Sequence, residues 1–492
     1  MNHLPILIPA ALLFAAFLIP LAGLWRKNLA SAVALTGSGL AAACSMTGLW
    51  VVLSEAKLRY RLGGWPQPIG IEYVLDPLAA FVVTVVTFLG FLSLIYFRLS
   101  IQHEVPDRFV TAHALALLLL AGLSGMIVTG DLFNLFVFLE IASLSAYALV
   151  AIGDQRAPVA AFRYLILGSL GGSFYVLGVG FLYFATGSLN MADVAQRLPA
   201  IYDSRAVAAA ATLIAVAMAL KMGLFPLHLW LPDAYSYAPS AVGGLIPPVM
   251  TKVAGYVLIR IFLDVFQPPY LKNHLPIISI IAWLACAGII FGSIMAIAQN
   301  DLRRMLAYSS VSQIAYVGLG LGMAHPLGLV GALLHILNHA FMKGCLFFVA
   351  GAIRYRTGWV EISRLKGLGR KMPWTLAAFT VAALSMIGVP PAAGFFSKWY
   401  LLIGAIEIGN GWFVAAILLS SLLNAAYFFR VLENVYGDAS SNEKEKSQAV
   451  DPPLSMLAPI LILAGGILAL GLLNFVIVAQ VLMPIAENFY RG

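Results

Sequence analysis

The sequence predicts an all-α, polytopic membrane protein. Three observations carry that reading. The 492-residue chain is 61% hydrophobic and only 10% charged, with mean hydropathy +0.93, whereas a soluble domain carries roughly 25% charged residues. Its apolar residues fall in runs of about 20, the length a helix needs to cross a bilayer. Ionisable side chains nonetheless stand inside those runs: Glu140, Lys221, Lys252, His335, His339, Lys343 and Lys398. A charge at the bilayer centre costs roughly 3 kcal/mol on insertion scales, so such residues usually face a polar pathway. Their number and separation point to a proton or cation route, not to a folding accident.

The runs define about fourteen spans. They lie near 4–24, 30–54, 76–98, 109–129, 131–152, 160–186, 206–226, 241–262, 276–298, 302–323, 327–353, 375–405, 411–433 and 454–485. The first run, Leu4 to Trp25, has no basic stretch before it and no small-residue cleavage site after it, so it reads as a retained helix. No extramembrane stretch is long enough for a soluble domain. The longest loops fall around 355–373 and 436–452, and Asp438 to Asp451 is polar and expected to be mobile.

The net charge is +8. The basic residues cluster in loops, which fits topology and anionic lipid headgroups and not nucleic acid. Loops after odd-numbered spans hold Arg26, Lys27, Arg156, Arg303, Arg304, Arg354 and Arg370 among others; loops after even-numbered spans are poorer in Lys and Arg. The positive-inside rule then places both termini on the non-cytoplasmic side of the cell (inner) membrane.

Several chemistries are excluded or disfavoured. Cys44, Cys286 and Cys345 are scattered and form no C-x-x-C pair, which argues against an iron–sulfur cluster or structural zinc on this chain. No phosphate-binding G-x-x-x-x-G-K-[ST] loop occurs. The Gly318-Leu-Gly320-Leu-Gly322 run lies in a span without a preceding strand and reads as helix packing. No cofactor is expected, and no catalytic chemistry beyond transport.

Two spans carry breaks. In the seventh, Lys221 is followed by Gly223 and Pro226; in the twelfth, Gly388, Pro390, Pro391 and Gly394 precede Lys398. Proline frees a backbone carbonyl, which lipid tolerates only where protein or water satisfies it again. Matched interrupted helices mark inverted-repeat transporters. The breaks lie five spans apart. The expected organisation is N-terminal helices over 1–108, a first five-helix repeat over 109–262, a second over 263–433, and a polar loop with the C-terminal helix over 434–492.

Glu140 follows Asp131 by 9 residues and so lies roughly 13 Å into its span, near the midplane. Its own helix offers no partner at i±3 or i±4, and Lys221 is the candidate from another helix. Lys252 also lies near mid-span, just after Pro247-Pro248, which would loosen the helix and could admit water. His335, His339 and Lys343 recur at every fourth residue and form one polar stripe. An H-x-x-x-H pair could ligate zinc, but no third ligand is in view and the glutamate of H-E-x-x-H is missing. Imidazoles titrate near neutral pH, so a proton relay fits better, with plain hydrogen bonding as the alternative. Tyr308, Ser309, Ser310, Ser312 and Gln313 add groups that could order water.

The chain resembles a known family at these same residues. Lys221-Met-Gly-Leu-Phe-Pro226-Leu-His228-Leu-Trp230-Leu-Pro232-Asp233-Ala234 is similar to the K-x-x-x-x-P-x-H-x-W-L-P-x-A motif of antiporter-like membrane subunits. These subunits are shared by respiratory complex I, membrane-bound hydrogenases and Mrp-type multisubunit cation/proton antiporters. Met250-Thr-Lys252, Asp301-Leu-Arg303-Arg304 and Asn338-His339-Ala-Phe-Met-Lys343-Gly344 match as well. The resemblance covers nearly the whole chain. It implies about fourteen helices with two inverted five-helix repeats, and a hydrated axis of Glu140, Lys221, Lys252, His335 or His339, and Lys398.

Within the family, Gly130-Asp131 through Glu140 and Gly394-Phe-Phe-Ser-Lys398-Trp399 are similar to the D-type subunit of Mrp antiporters. Two departures from complex I subunits are Tyr235, where His is common, and Pro247-Pro248. The resemblance implies a proton-translocating subunit of a multisubunit Na⁺/H⁺ antiporter, with other membrane subunits, protons, Na⁺ and lipid as partners. The rival is the same module as a proton pump in a redox-driven quinone reductase or hydrogenase.

Overall fold

The computed structural model describes residues 3–55, 57–153, 156–438 and 450–490. The chain opens with α1 (Leu4–Trp25) and α2 (Lys27–Glu55), then a hairpin, then α3 (Pro77–Glu104), α4 (Phe109–Val128), α5 (Leu132–Ala151) and α6 (Ala157–Thr186). Short α7 (Met191–Arg197) precedes α8 (Arg205–Met222), and α9 (Leu231–Tyr237) completes the first broken span before α10 (Ser240–Arg260). Short α11 (Gln267–Asn273) leads to α12 (Ile277–Ile297), α13 (Leu302–Gly322) and α14 (Pro326–Thr357). The second broken span is α15 (Pro373–Ile387) with α16 (Ala393–Glu407), followed by α17 (Gly411–Tyr436), α18 (Leu454–Leu472) and α19 (Met483–Tyr490).

Among the described residues, 12 helices are long and apolar enough to cross a membrane. Two expected spans are not in that set. One is α13, whose Arg303, Arg304 and Ser309-to-Gln313 patch lower its apolarity, and the other is the α15–α16 pair, each member too short alone. The polar stretch expected between Asp438 and Asp451 falls, but for its ends, outside the described residues.

The all-α architecture carries one exception. Strands β1 (Leu58–Arg61) and β2 (Glu72–Leu75) pair antiparallel, with Leu58 opposite Leu75 and Arg61 opposite Glu72. Each strand is only four residues long, and charged and apolar residues alternate in β1 alone, too little to stand out beside the membrane runs.

Helix starts are capped where the sequence offers Asp. Asp76 accepts from the Ala79 N–H at 2.9 Å, Asp131 from Asn134 at 2.7 Å and Asp301 from Arg304 at 2.8 Å. Each satisfies a donor that the first helical turn leaves free. Asp131 and Asp301 also open the same backbone clasp. The Leu132 N–H donates to Leu189 O at 2.9 Å and the Met191 N–H to Gly130 O at 2.9 Å. In the second half, Leu302 donates to Val360 O at 2.8 Å and Ile362 to Asn300 O at 2.8 Å.

Both breaks are built alike. Helix α8 ends on Gly223 (φ 71°) and α15 on Gly388 (φ 97°), each left-handed, a conformation that glycine adopts without a Cβ clash. The freed carbonyls are met by protein: Trp230 Nε1 donates to Leu220 O at 2.9 Å, and Asn424 Nδ2 to Met386 O at 3.2 Å. That is what the absence of water in lipid demands.

Helices α10 and α14 form the centre. α10 packs on α3, α8 and α14, and α14 on α13 and α16. Small residues allow close approach elsewhere, as where Gly292 of α12 faces the Ser312 backbone of α13. Ion pairs gather at two opposite ends of the bundle. Arg260–Asp76 and Arg59–Glu72 lie at the hairpin end, and Arg163–Asp233, Arg304–Asp233 and Arg354–Glu104 at the other.

Candidate functional site

Glu140, Ser143 and Tyr147 share one face of α5, being three and four residues apart. Lys221 comes to that face from the last turn of α8, where the helix carbonyls favour a cation. Its Nζ donates to Ser143 Oγ at 2.7 Å and to Tyr147 OH at 3.3 Å. The expected direct Glu140–Lys221 contact is not made. Ser143 takes the lysine instead, and Glu140 stays within electrostatic range of it. Glu140 Oε1 is buried against Gly172 of α6, with no hydrogen-bond partner among the described residues.

Lys252 is buried on α10. Its Nζ donates to Pro247 O at 2.5 Å and to Thr251 Oγ1 at 3.4 Å. Pro247 and Pro248 do not open the helix as expected: α10 runs unbroken from Ser240 to Arg260. The two prolines still lack N–H groups, so the carbonyls of Gly243 and Gly244 have no donor from them.

The α14 stripe is fully buried. His335 Nδ1 lies 3.0 Å from Ser397 Oγ, and the His335 and His339 rings stack with centroids 5.4 Å apart. Among the described residues, His335 Nε2 and both nitrogens of His339 have no hydrogen-bond partner. Lys343 Nζ donates to Leu306 O at 2.7 Å and to Ser309 Oγ at 2.5 Å, so the stripe ends on α13. Lys252 lies within electrostatic range of His335, His339 and Lys343. Among the described residues, no group of three His, Cys, Asp or Glu side chains could hold a metal ion.

Lys398 reaches back across the second break. Its Nζ donates to Met386 O at 2.9 Å, Ile387 O at 3.0 Å and Ser421 Oγ at 3.1 Å. It therefore sits on the carbonyl end of α15, as Lys221 sits near that of α8. Beside it, Ser293 Oγ stands 2.9 Å from Ser312 Oγ and 3.3 Å from Asn424 Oδ1, and Tyr427 OH donates to Asn424 Oδ1 at 2.9 Å.

The structure thus groups Glu140 with Lys221, groups Lys252 with His335, His339 and Lys343, and brings Lys398 to His335 through Ser397 and Tyr316. The Tyr316 ring lies 5.1 Å from the His335 ring and 5.6 Å from Lys398 Nζ. Ser143, Tyr147, Ser397, Ser421 and Asn424 are not among the residues expected from the sequence. Ser143 and Tyr147 stand at i+3 and i+7 from Glu140, a spacing that could mark them. Ser421 and Asn424 give no such signal, because their role depends on how α17 is rotated. Gln313, in the anticipated hydroxyl patch, is buried, and neither amide atom has a partner among the described residues. A buried polar group without a protein partner calls for water.

Fold and site define a polytopic membrane subunit with a buried line of ionisable groups. The chain belongs to the family described as NADH:quinone oxidoreductase/Mrp antiporter, transmembrane, which matches residues 129–424. It is 50% identical over 434 residues to NADH-quinone oxidoreductase subunit N of Desulforudis audaxviator, covering 86% of each chain. It is 32% identical over 407 residues to the D-type subunit of the Na⁺/H⁺ antiporter of Alkalihalophilus pseudofirmus, covering 82% of this chain and 81% of that one. Its fold superposes on a chain of the Mrp complex from Dietzia sp. with TM-score 0.88 and 27% identity, covering 99% and 97%.

Proposed function

We propose that the chain is the proton-translocating subunit of a multisubunit Na⁺/H⁺ antiporter, similar to the D-type subunit of Mrp complexes. Protons move along Glu140, Lys221, Lys252, His335, His339, Lys343 and Lys398. The observation that carries this reading is the run of orphaned buried polar atoms, from Glu140 Oε1 through both His339 nitrogens to Gln313, between lysines at two helix breaks. The likeness to the D-type antiporter relative and to the Mrp complex fold supports it. Other membrane subunits of the same assembly are its partners.

A second reading is favoured by the 50% identity to a subunit N. There the same module is driven by a redox partner. Vesicles carrying the whole complex separate the two: acidification or alkalinisation driven by a Na⁺ gradient supports the antiporter, and movement that needs an electron donor and quinone supports the redox pump. The repeat boundaries 109–262 and 263–433 belong to this proposal, supported by the twin clasps at Asp131 and Asp301. So does the placing of both termini outside the cytoplasm, supported by loop charge.

A further inference from the structure

Lys252 has a second polar neighbourhood, toward the hairpin end. Tyr256 and Arg260 follow it at i+4 and i+8, on the same face of α10. Tyr256 OH donates to Ile127 O at 2.7 Å and accepts from Arg260 Nε at 3.0 Å. The Arg260 guanidinium grips Asp76 with two bonds of 2.6 Å and also pairs with Asp264. Ile127 and Arg260 line a cavity of about 290 Å³ under the hairpin, whose rim carries the exposed Lys57 and Arg59.

A buried carboxylate faces this space. Glu72 is 2% exposed and lines the cavity. Its Oε1 accepts from Asn190 Nδ2 at 3.0 Å; among the described residues its Oε2 accepts no hydrogen bond but lies 3.7 Å from the Arg59 guanidinium, an ion pair. The carboxylate at the cavity wall is thus held by one amide and a long ion pair, and is only partly satisfied. Helix geometry changes at the same place. Residues Ile261–Val265 form a π-turn directly after Arg260, and Gln267, another wall residue, has φ 66°, strained for a side chain of its kind. Such features gather at functional sites.

We propose that this cavity is the proton-exchange site of the Lys252 branch at the hairpin face. In release, the Lys252 ammonium gives its proton to water and becomes a neutral amine. The proton passes along water by Tyr256 and Arg260 to the Glu72 carboxylate, and Glu72 then returns it to water outside. Uptake is the reverse. Asp76 and Asp264 pair with Arg260 and offset its charge beside the path, so the guanidinium does not bar an excess proton. The charged groups facing Glu72 are Lys57, Arg59, Asp76, Arg260 and Asp264.

The inference rests on the proton-translocating reading, under either drive. The test uses the whole complex in vesicles, with pH set separately on the two faces. Glu72→Gln keeps the shape and an Asn190 contact but cannot carry the proton. It is expected to slow proton movement by roughly 10²-fold and to flatten the dependence on pH at the hairpin face alone. Glu72→Asp is expected to restore a titrating profile. In Ala192→Cys, at the cavity rim, an impermeant thiol-reactive cation added at the hairpin face is expected to block transport, with the unmutated complex as control. An unchanged hairpin-face profile in Glu72→Gln, equal changes on both faces, or full transport after labelling overturns this inference alone. Unmutated vesicles that move protons under neither Na⁺ nor redox drive overturn the function itself, and this inference with it.

Discussion

Lys221 donates to Ser143 at 2.7 Å and not to Glu140, which lies one turn from Ser143 on α5. The hydroxyl holds the ammonium one helical turn along α5 from the carboxylate and within its electrostatic range. Glu140 Oε1 meanwhile has no hydrogen-bond partner among the described residues. Two charges held near each other and not locked together suit a pair that exchanges partners during transport.

Glu140→Ala and Lys221→Ala are each expected to abolish cation-driven proton movement while leaving assembly largely intact. If the pair switches as a unit, the single changes and the charge-swapped double change are strongly non-additive, with a coupling of about 0.5–3 kcal/mol. Transport rates in vesicles, corrected for subunit content, give the cycle. Simple additivity would show two independent sites.

Gly172→Ala tests the carboxylate's position directly. A Cβ there would come 2.4 Å from Glu140 Oε1. The end of a flexible side chain moves more easily than backbone, so Glu140 is displaced and the fold is kept. Misplacement of about 1 Å costs up to roughly 100-fold in a positioned reaction. Transport should therefore fall on the order of tenfold at unchanged thermal stability. Undiminished transport would mean that Glu140 need not stay where the structure holds it.

Asp76 gives a pH signature of stability. Burial pushes its carboxyl up, but the Arg260 guanidinium more than offsets this and holds it below the ordinary 3.8. A group with a lowered folded value stabilises the protein above its unfolded value, and that stabilisation is lost as pH falls through the folded one. Asp76→Asn can still cap α3 through its side-chain oxygen but loses the charge. Melting of the purified complex should be lower in the variant at pH 7, and the gap to the unmutated protein should shrink as pH drops below about 4. A constant gap would contradict the ion-pair account.

Much of the fold is legible because lipid imposes a simple rule: a span is a long apolar run. That rule places α1 to α6 and α12, and glycine and proline mark the breaks at Gly223 and Gly388. It fails for the hairpin, whose eight strand residues are too few to signal, and for short α7, α9 and α11. The ionisable residues are visible because each is anomalous in its own run. Their partners are not, because a contact between α5 and α8 depends on how each helix is rotated. Hence the sequence points Lys221 at Glu140 when Ser143 holds it, and the prolines beside Lys252 suggest an opening that α10 does not have.

Lys398 separates a titrating role from a structural one. Its ammonium donates to two carbonyls at the end of α15, Met386 O and Ile387 O, and so also closes the break in the span. Lys398→Ala removes both the proton carrier and the donor, and transport is expected to vanish. Lys398→Gln still offers an amide N–H to the same carbonyls, which leave about 1–3 kcal/mol of unmet hydrogen bonding if orphaned. The Gln variant should therefore assemble and melt nearer the unmutated protein than the Ala variant does, yet transport no better. Lys398→Glu restores an ionisable group, and part of the transport should return with a shifted pH optimum. The measurement is transport rate against pH for the three variants, beside their melting temperatures. Full transport in Lys398→Gln would make this lysine a structural clamp, and the proton route would then end near His335.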